Sequence, residues 1–276
     1  MVYVLIKSDF PWIRTDYLGS GVWAFDDNRE DVAYLVTGKE RALLIDTGLG
    51  VADLTDSVKQ VTKLPLLVVN THGHPDHAGG DFQFGEAYVS EKDFDMIRQL
   101  YHDAGQREGA LKFAINQHPY PDYFSFTGWK EPKEVKLHPV REGDVFDLGG
   151  RSLEVIEVPG HTAGCIALID YGSRMLFSGD TVSTEHIFMH IGGTTPFEMY
   201  RKSLFKLKER IPDIDFIYPS HGKHPIDPGY VSELCECADH ILRNPSSGLL
   251  CHTMGGDGRM QKYGRGYIIY NPSNLS

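Results

Sequence analysis

Short apolar runs bounded by glycine, aspartate and serine recur along the chain and read as strands. Gly21–Phe25 and Val32–Val36 predict two of them, and Ala42–Ile45 returns after a turn at Gly38-Lys39-Glu40. Within Ala52–Lys63, Leu54, Val58 and Val61 recur at helical spacing. Leu66–Val69 is a continuous apolar run, the mark of a strand buried on both faces. Glu86–Ser90 predicts a further strand, and Glu91–Leu100 a helix with Ser90 as its cap. In the second half, Asp144–Leu148 and Leu153–Val158 flank Gly149-Gly150 as a hairpin, and Cys165–Ile169 pairs with Arg174–Ser178. Helices follow at Pro196–Arg210 and Pro228–Leu242, with strands at Ile214–Tyr218 and Gly266–Tyr270. Strands followed by helix, twice over, predict an α/β protein with two sheets face to face and helices outside.

The chemically distinctive residues fall directly after predicted strands: Asp46, then His72, His74, Asp76 and His77, then His161, Asp180 and His221. Ligand sites in α/β proteins gather at the carboxyl ends of strands. In an extended segment His72 and His74 project the same way, and Asp76 and His77 follow a bend at Pro75. Two ligand pairs aimed at neighbouring points exceed what one three-ligand zinc needs. The expected sets are His72, His74 and His161 for one metal, and Asp76, His77 and His221 for a second, with Asp180 bridging. Nitrogen and oxygen donors suit zinc, iron or manganese. Two such cations can share a hydroxide that attacks a carbonyl, so Asp76 and Asp180 are the expected catalytic carboxylates. Asp46 is placed to accept a ring N–H from a ligand histidine. The spacing of the His72–His77 cluster is hard to explain as packing, whereas His161, Asp180 and His221, each taken alone, fit structural roles equally well. An Asx-turn explains Asp46 as readily.

The charge of −11 over 276 residues argues against a nucleic-acid surface, and the 41% hydrophobic content is that of a globular protein. The apolar stretch after Met1 ends at Lys7, too short for a secretion signal, and no segment is long enough to span a membrane. The expectation is a single cytoplasmic domain over 1–276, with a homodimer as its expected assembly, acting on a small molecule. Cys165, Cys235, Cys237 and Cys251 suggest free thiols rather than a disulfide framework. Aromatics and prolines between about 105 and 139 suggest a lid, with His118, Tyr120 and Tyr123 against substrate. His186, His190, His224 and His252 lie in predicted loops and are the other candidates for substrate contact. Residues 248–276 form a glycine-rich extension.

Asp46-Thr-Gly, Thr71-His-Gly-His-Pro-Asp-His-Ala-Gly-Gly80, Pro159-Gly-His-Thr-Ala-Gly164, Ser178-Gly-Asp-Thr181 and Pro219-Ser-His-Gly222 together resemble the five ordered motifs of the metallo-β-lactamase superfamily. The resemblance runs from about Val22 to Leu242. It implies an αββα sandwich, two mixed β-sheets packed face to face with helices outside, and a binuclear site at one edge. It also implies that His161, Asp180 and His221 are ligands. Asp180 stands where the common β-lactamases carry cysteine, which argues against antibiotic hydrolysis. His74 stands where the flavin-dependent di-iron oxygen reductases carry glutamate. The His161 and Asp180 motifs look most like glyoxalase II, although its glutathione-binding residues find no match in 248–276. Lactonases often place a tyrosine shortly after the bridging aspartate, where this chain has Val182, Ser183 and Thr184. The resemblance therefore implies a hydrolase of small thioesters, esters or lactones using two divalent ions, zinc foremost. The alternatives are an acyl-lactonase or a di-iron redox enzyme of the dioxygenase type.

Overall fold

The computed structural model describes residues 13–28, 31–103, 105, 108–109, 112 and 133–276. These divide into two compact units, one comprising residues to Val140 with Asp144–Ser152, the other Arg141–Gly143 with Leu153–Ser276. The expected lid falls mostly outside the described residues, as do His118, Tyr120 and Tyr123.

In the first unit the strands are β1 (Ile13–Gly19), β2 (Val22–Asp27), β3 (Asp31–Thr37), β4 (Ala42–Ile45), β5 (Leu66–Val69), β6 (Glu86–Ser90), β7 (Lys136–Val140) and β8 (Val145–Asp147). The helices are α1 (Leu54–Val61), α2 (Pro75–Ala78) and α3 (Phe94–His102). Among the described residues β1 to β7 form one sheet in sequence order. β1 to β4 are an antiparallel meander, and β4, β5, β6 and β7 run parallel. Parallel neighbours need crossovers, which α1, α2 and α3 supply. One consequence fixes the chemistry: the loops after β4 and β5 leave the sheet on the same side, and these loops carry Asp46 and the histidine cluster. Leu35, Leu44 and Val68 of the sheet pack with Leu54 and Val58 of α1. The Asp53 carboxylate caps α1 by accepting from the Asp56 N–H at 3.1 Å.

Two local expectations change here. Pro75–Ala78 is one helical turn rather than a plain loop, with Pro75 at its first position, where proline is pre-organised. Ser90 makes no capping bond; a 3-10 turn spans Glu91–Asp93, and α3 begins after Asp93. The Asp93 carboxylate is directed instead at the backbone N–H of Gly73, at 2.9 Å.

The second unit contains β9 (Ser152–Glu157), β10 (Ile166–Asp170), β11 (Met175–Gly179), β12 (Ile187–Met189), β13 (Phe216–Pro219), β14 (Leu249–Thr253), β15 (Gly256–Tyr263) and β16 (Gly266–Tyr270), with helices α4 (Phe197–Arg210) and α5 (Tyr230–Arg243). Strands β13, β11, β10 and β9 lie side by side in that order. β10 is antiparallel to β9 and β11, and β11 is parallel to β13. Hence β9, β11 and β13 point the same way, and their carboxyl ends, which lead to His161, Asp180 and His221, share one edge. Ile169, Leu176 and Ile217 pack with Tyr200 and Leu204 of α4 and Leu234 and Ile241 of α5.

A further sheet has the order β12-β16-β15-β14. The sequence pattern showed only β16 of these. Glycines at 255, 256 and 258 and the polar Arg259, Gln261 and Lys262 hide β15, and β12 is three residues long. Ile187, Met189, Ile268 and Tyr270 tie this sheet into the core of the unit. Among the described residues no helix is long and apolar enough to cross a membrane.

Candidate metal centre

The loop after β4 and the turn after β5 are sutured backbone to backbone. The Thr47 N–H donates to the His77 carbonyl (2.8 Å) and the Gly80 N–H to the Gly48 carbonyl (3.1 Å). A Cβ on Gly80 would lie 2.2 Å from the Thr47 carbonyl oxygen, and one on Gly79 2.6 Å from that of Leu49, so this approach requires both glycines. Asp46 adopts φ +63°, a left-handed conformation that aspartate tolerates better than most residues. That backbone aims its buried carboxylate into the cluster. Oδ1 accepts from the Thr71 N–H at 2.7 Å, and Oδ2 accepts from the Thr71 hydroxyl at 2.9 Å and from the His77 ring Nδ1 at 2.9 Å.

These contacts assign the ring protons. His77 carries its hydrogen on Nδ1, which leaves Nε2 as a lone-pair donor 3.5 Å from an Asp76 oxygen. Because the Thr71 hydroxyl donates to Asp46, it accepts from His72 Nδ1 at 3.2 Å, and His72 Nε2 is likewise unprotonated and can accept. That atom lies 3.0 Å from His74 Nδ1. His72 and His77 are fully buried, while His74 and Asp76 are half-buried. Ring nitrogens and a carboxylate gathered at the solvent edge of a buried cluster are groups that could hold a cation, and the His72 and His77 rings are oriented from behind.

The second unit repeats the design. His161 Nδ1 donates to the Phe188 carbonyl at 2.8 Å, leaving Nε2 3.3 Å from Asp180 Oδ2. His221 Nε2 lies 3.4 Å from Asp180 Oδ1. Both separations exceed a strong hydrogen bond, and each carboxylate oxygen faces a different imidazole. A Cβ on Gly160 would meet the Tyr200 ring at 2.6 Å, so the His161 loop lies directly on α4.

Thr71, Asp81, Asp93 and Phe188 support the cluster; Thr71 lies within the quoted Thr71–Gly80 motif without a role assigned to it, and no motif includes the other three. Asp81 is fully buried, and burial, with the Asp46 charge as a lesser contributor, raises its pKa from 3.8 to about 8. Hydrogen bonds from Thr47 and Asn70 to its carboxylate oppose that rise without cancelling it. Asn70 Nδ2 donates to Oδ2 at 2.6 Å, and the Thr47 hydroxyl, also 3.0 Å from the His77 carbonyl, donates to Oδ1 at 2.9 Å. The folded protein thus retains a proton that the unfolded chain releases near pH 4. Stability contributed by Asp81 is full below that pH and is lost as pH rises towards about 8. Asp81→Asn reproduces the donor and acceptor and is expected to flatten this slope in thermal melts across that range. Asp81→Ala orphans Asn70 and Thr47 and is expected to lose about 1–3 kcal/mol.

Of the other candidates, His190 is buried, with Nε2 2.5 Å from the Thr253 hydroxyl, and its pKa is lowered first by burial and then by His161. His186 is exposed, and His224 is half-buried three residues after His221. His252 is exposed and pairs with Asp257 at 2.8 Å. Cys165, Cys235 and Cys237 are buried free thiols and Cys251 is half-buried; burial pushes Cys235 up to about 11 and Cys237 up to about 12, which disfavours thiolate chemistry.

Histidine and aspartate donors on strand-end loops, held by partners that expose their lone pairs, define a metal-dependent hydrolase of the α/β class. The chain belongs to the metallo-beta-lactamase superfamily, whose profile matches residues 30–221. The acyl-coenzyme A thioesterase MBLAC2 of Gallus gallus is 34% identical over 201 residues, covering 63% of this chain and 68% of that protein. A hydroxyacylglutathione hydrolase of Methylobacillus flagellatus is 32% identical over 204 residues, 72% of this chain and 64% of the other. Among solved structures, a metallo-beta-lactamase from Pontibacter korlensis superposes with a TM-score of 0.58 at 22% identity, covering 82% of this chain and 99% of that one. The fold is accordingly the metallo-β-lactamase fold, mixed sheets packed with helices, and the protein is a hydrolase of this superfamily, whose members bind divalent metals.

Proposed function

We propose that the protein hydrolyses small thioesters at a binuclear zinc centre. His72, His74 and His161 would hold one ion, Asp76, His77 and His221 the other, and Asp180 both. The carrying observation is that His72, His77 and His161 each have Nδ1 engaged by a fixed acceptor, so that Nε2 is left as a donor. Bound divalent cations supply Lewis acidity and bring the pKa of water near neutrality. The chain's own groups do the rest. Asp46, Thr71 and the Phe188 carbonyl fix three ring orientations, which a metal site needs as much as its ligands. Asp180 presents one oxygen to His161 and the other to His221, and the half-buried Asp76 carboxylate stands 3.5 Å from His77 Nε2. The thioester class is supported by the two named relatives, one acting on acyl-coenzyme A and the other on hydroxyacylglutathione by name.

The test is elemental analysis of the purified protein together with turnover of a thioester and a lactone panel. About two zinc ions per chain and thioester turnover abolished by a chelator, then restored by zinc, are expected. Turnover that survives complete removal of metal, or a lactone preferred over every thioester, would overturn the reading.

A further inference from the structure

Strand β12 alternates in burial. Ile187 and Met189 enter the core with Ile268 and Tyr270, so His186 and Phe188 project from the opposite face. Ile187 is registered with Ile268 of β16, which puts His186 beside Tyr267, and Lys262 of β15 is registered directly with Tyr267. A continuous row of flat and cationic groups results. The Phe188 and His186 rings are within 8° of parallel with centroids 6.4 Å apart, His186 lies 5.7 Å from Tyr267, and Lys262 Nζ stands 4.8 Å over the Tyr267 ring. His186 and Lys262 are exposed, while Phe188 and Tyr267 are half-buried. One end of the row is the residue whose carbonyl holds His161, and the other is an ammonium at the surface. Arg265 nearby is engaged by Asp227 and Glu233, whereas Lys262 contacts an aromatic face. Glu185 is the exposed carboxylate adjacent in sequence. Nothing in the hydrolytic reading uses these four side chains.

We propose that this row binds the adenine nucleotide portion of a coenzyme A thioester, the base stacking on the parallel His186 and Phe188 rings and a phosphate pairing with Lys262, which the Tyr267 ring positions. Aromatic faces stack heterocyclic bases, and lysine binds phosphate as a point charge. The local cation complements a phosphate despite the acidic chain. The placement is continuous with the site through Phe188, so the thioester would lie towards His161. The inference rests on the thioester-hydrolase reading and sharpens it, because a glutathione thioester carries neither base nor phosphate.

The test uses the full-length, zinc-loaded protein. Adenosine 3′,5′-bisphosphate is titrated calorimetrically into wild type, Lys262→Glu and Tyr267→Ala, and kcat/KM is measured for butyryl-coenzyme A and for S-butyryl-pantetheine. Wild type is expected to bind the nucleotide, with Kd at least tenfold weaker in each variant. It is also expected to prefer the coenzyme A ester at least tenfold, a preference that shrinks in Lys262→Glu. Thioester turnover without nucleotide binding, or with equal kcat/KM for the two esters, would overturn the site and leave the hydrolase reading intact. Nucleotide binding that depends on Lys262 without turnover of either ester would do the reverse.

Discussion

Asp180→Asn is expected to lower thioester turnover about a thousandfold or more, the ~4 kcal/mol scale of deleting a preorganised electrostatic group. Its two oxygens lie 3.3 Å and 3.4 Å from the Nε2 atoms of His161 and His221. That spacing is longer than a strong hydrogen bond and suits the proposed role of ligands around a shared charge. An amide has the same shape but no net charge, and it turns an NH2 group towards one of the two positions. Both cations would lose a neutralising oxygen, and one would lose a donor outright. Folding should be spared, since Asp180 stands in a strand-end loop and is not among the core residues packed on Leu176 and Ile217. The measurement is kcat/KM with saturating zinc, alongside circular dichroism and zinc content. A variant that folds, keeps both ions and retains turnover within tenfold would remove Asp180 from the mechanism.

The fold was legible wherever burial on two faces made the pattern continuous. Ala42–Ile45 and Leu66–Val69 read as strands and form strands with those bounds, because nothing polar interrupts them. Their parallel pairing was not visible in composition, but it is what brings Asp46 alongside the histidines. The outer sheet was harder. In β15 glycine, arginine and lysine dilute the apolar signal, β14 exposes even its consecutive leucines Leu249 and Leu250, and β12 is too short for any period to register. The ligand candidates were legible because their residue types have few other reasons to crowd at such spacing. Their supports were not. Asp93 reaches the cluster from the start of α3, Asp81 from a turn beyond the glycines, and Phe188 contributes only a carbonyl, which every residue possesses. Side chains and backbone groups recruited by tertiary proximity leave no trace in local sequence.

Asp46→Asn is expected to weaken zinc binding as severely as Asp46→Ala, by about 10–100-fold, although it preserves shape. In the wild type Oδ2 accepts two hydrogens, from the Thr71 hydroxyl and from His77 Nδ1, while Oδ1 accepts the Thr71 N–H. Asparagine can keep the backbone bond with its single oxygen. Its NH2 group then occupies the Oδ2 position and must donate to His77 Nδ1. That selects the tautomer protonated on Nε2, so the lone pair needed for the metal is gone. The same logic makes an Asp→Asn change beside a catalytic histidine costly while geometry is retained. Alanine fails differently: it orphans the Thr71 N–H in a buried site and releases the His77 ring, so it should also cost about 1–3 kcal/mol of apoprotein stability. Chelator competition gives the zinc dissociation constants, and thermal melts of the metal-free proteins give the stabilities. Equal loss of affinity in the two variants, with the greater loss of stability confined to alanine, assigns Asp46 to holding the His77 tautomer. Wild-type affinity in Asp46→Asn would show that the carboxylate only closes the turn between Ile45 and Thr47.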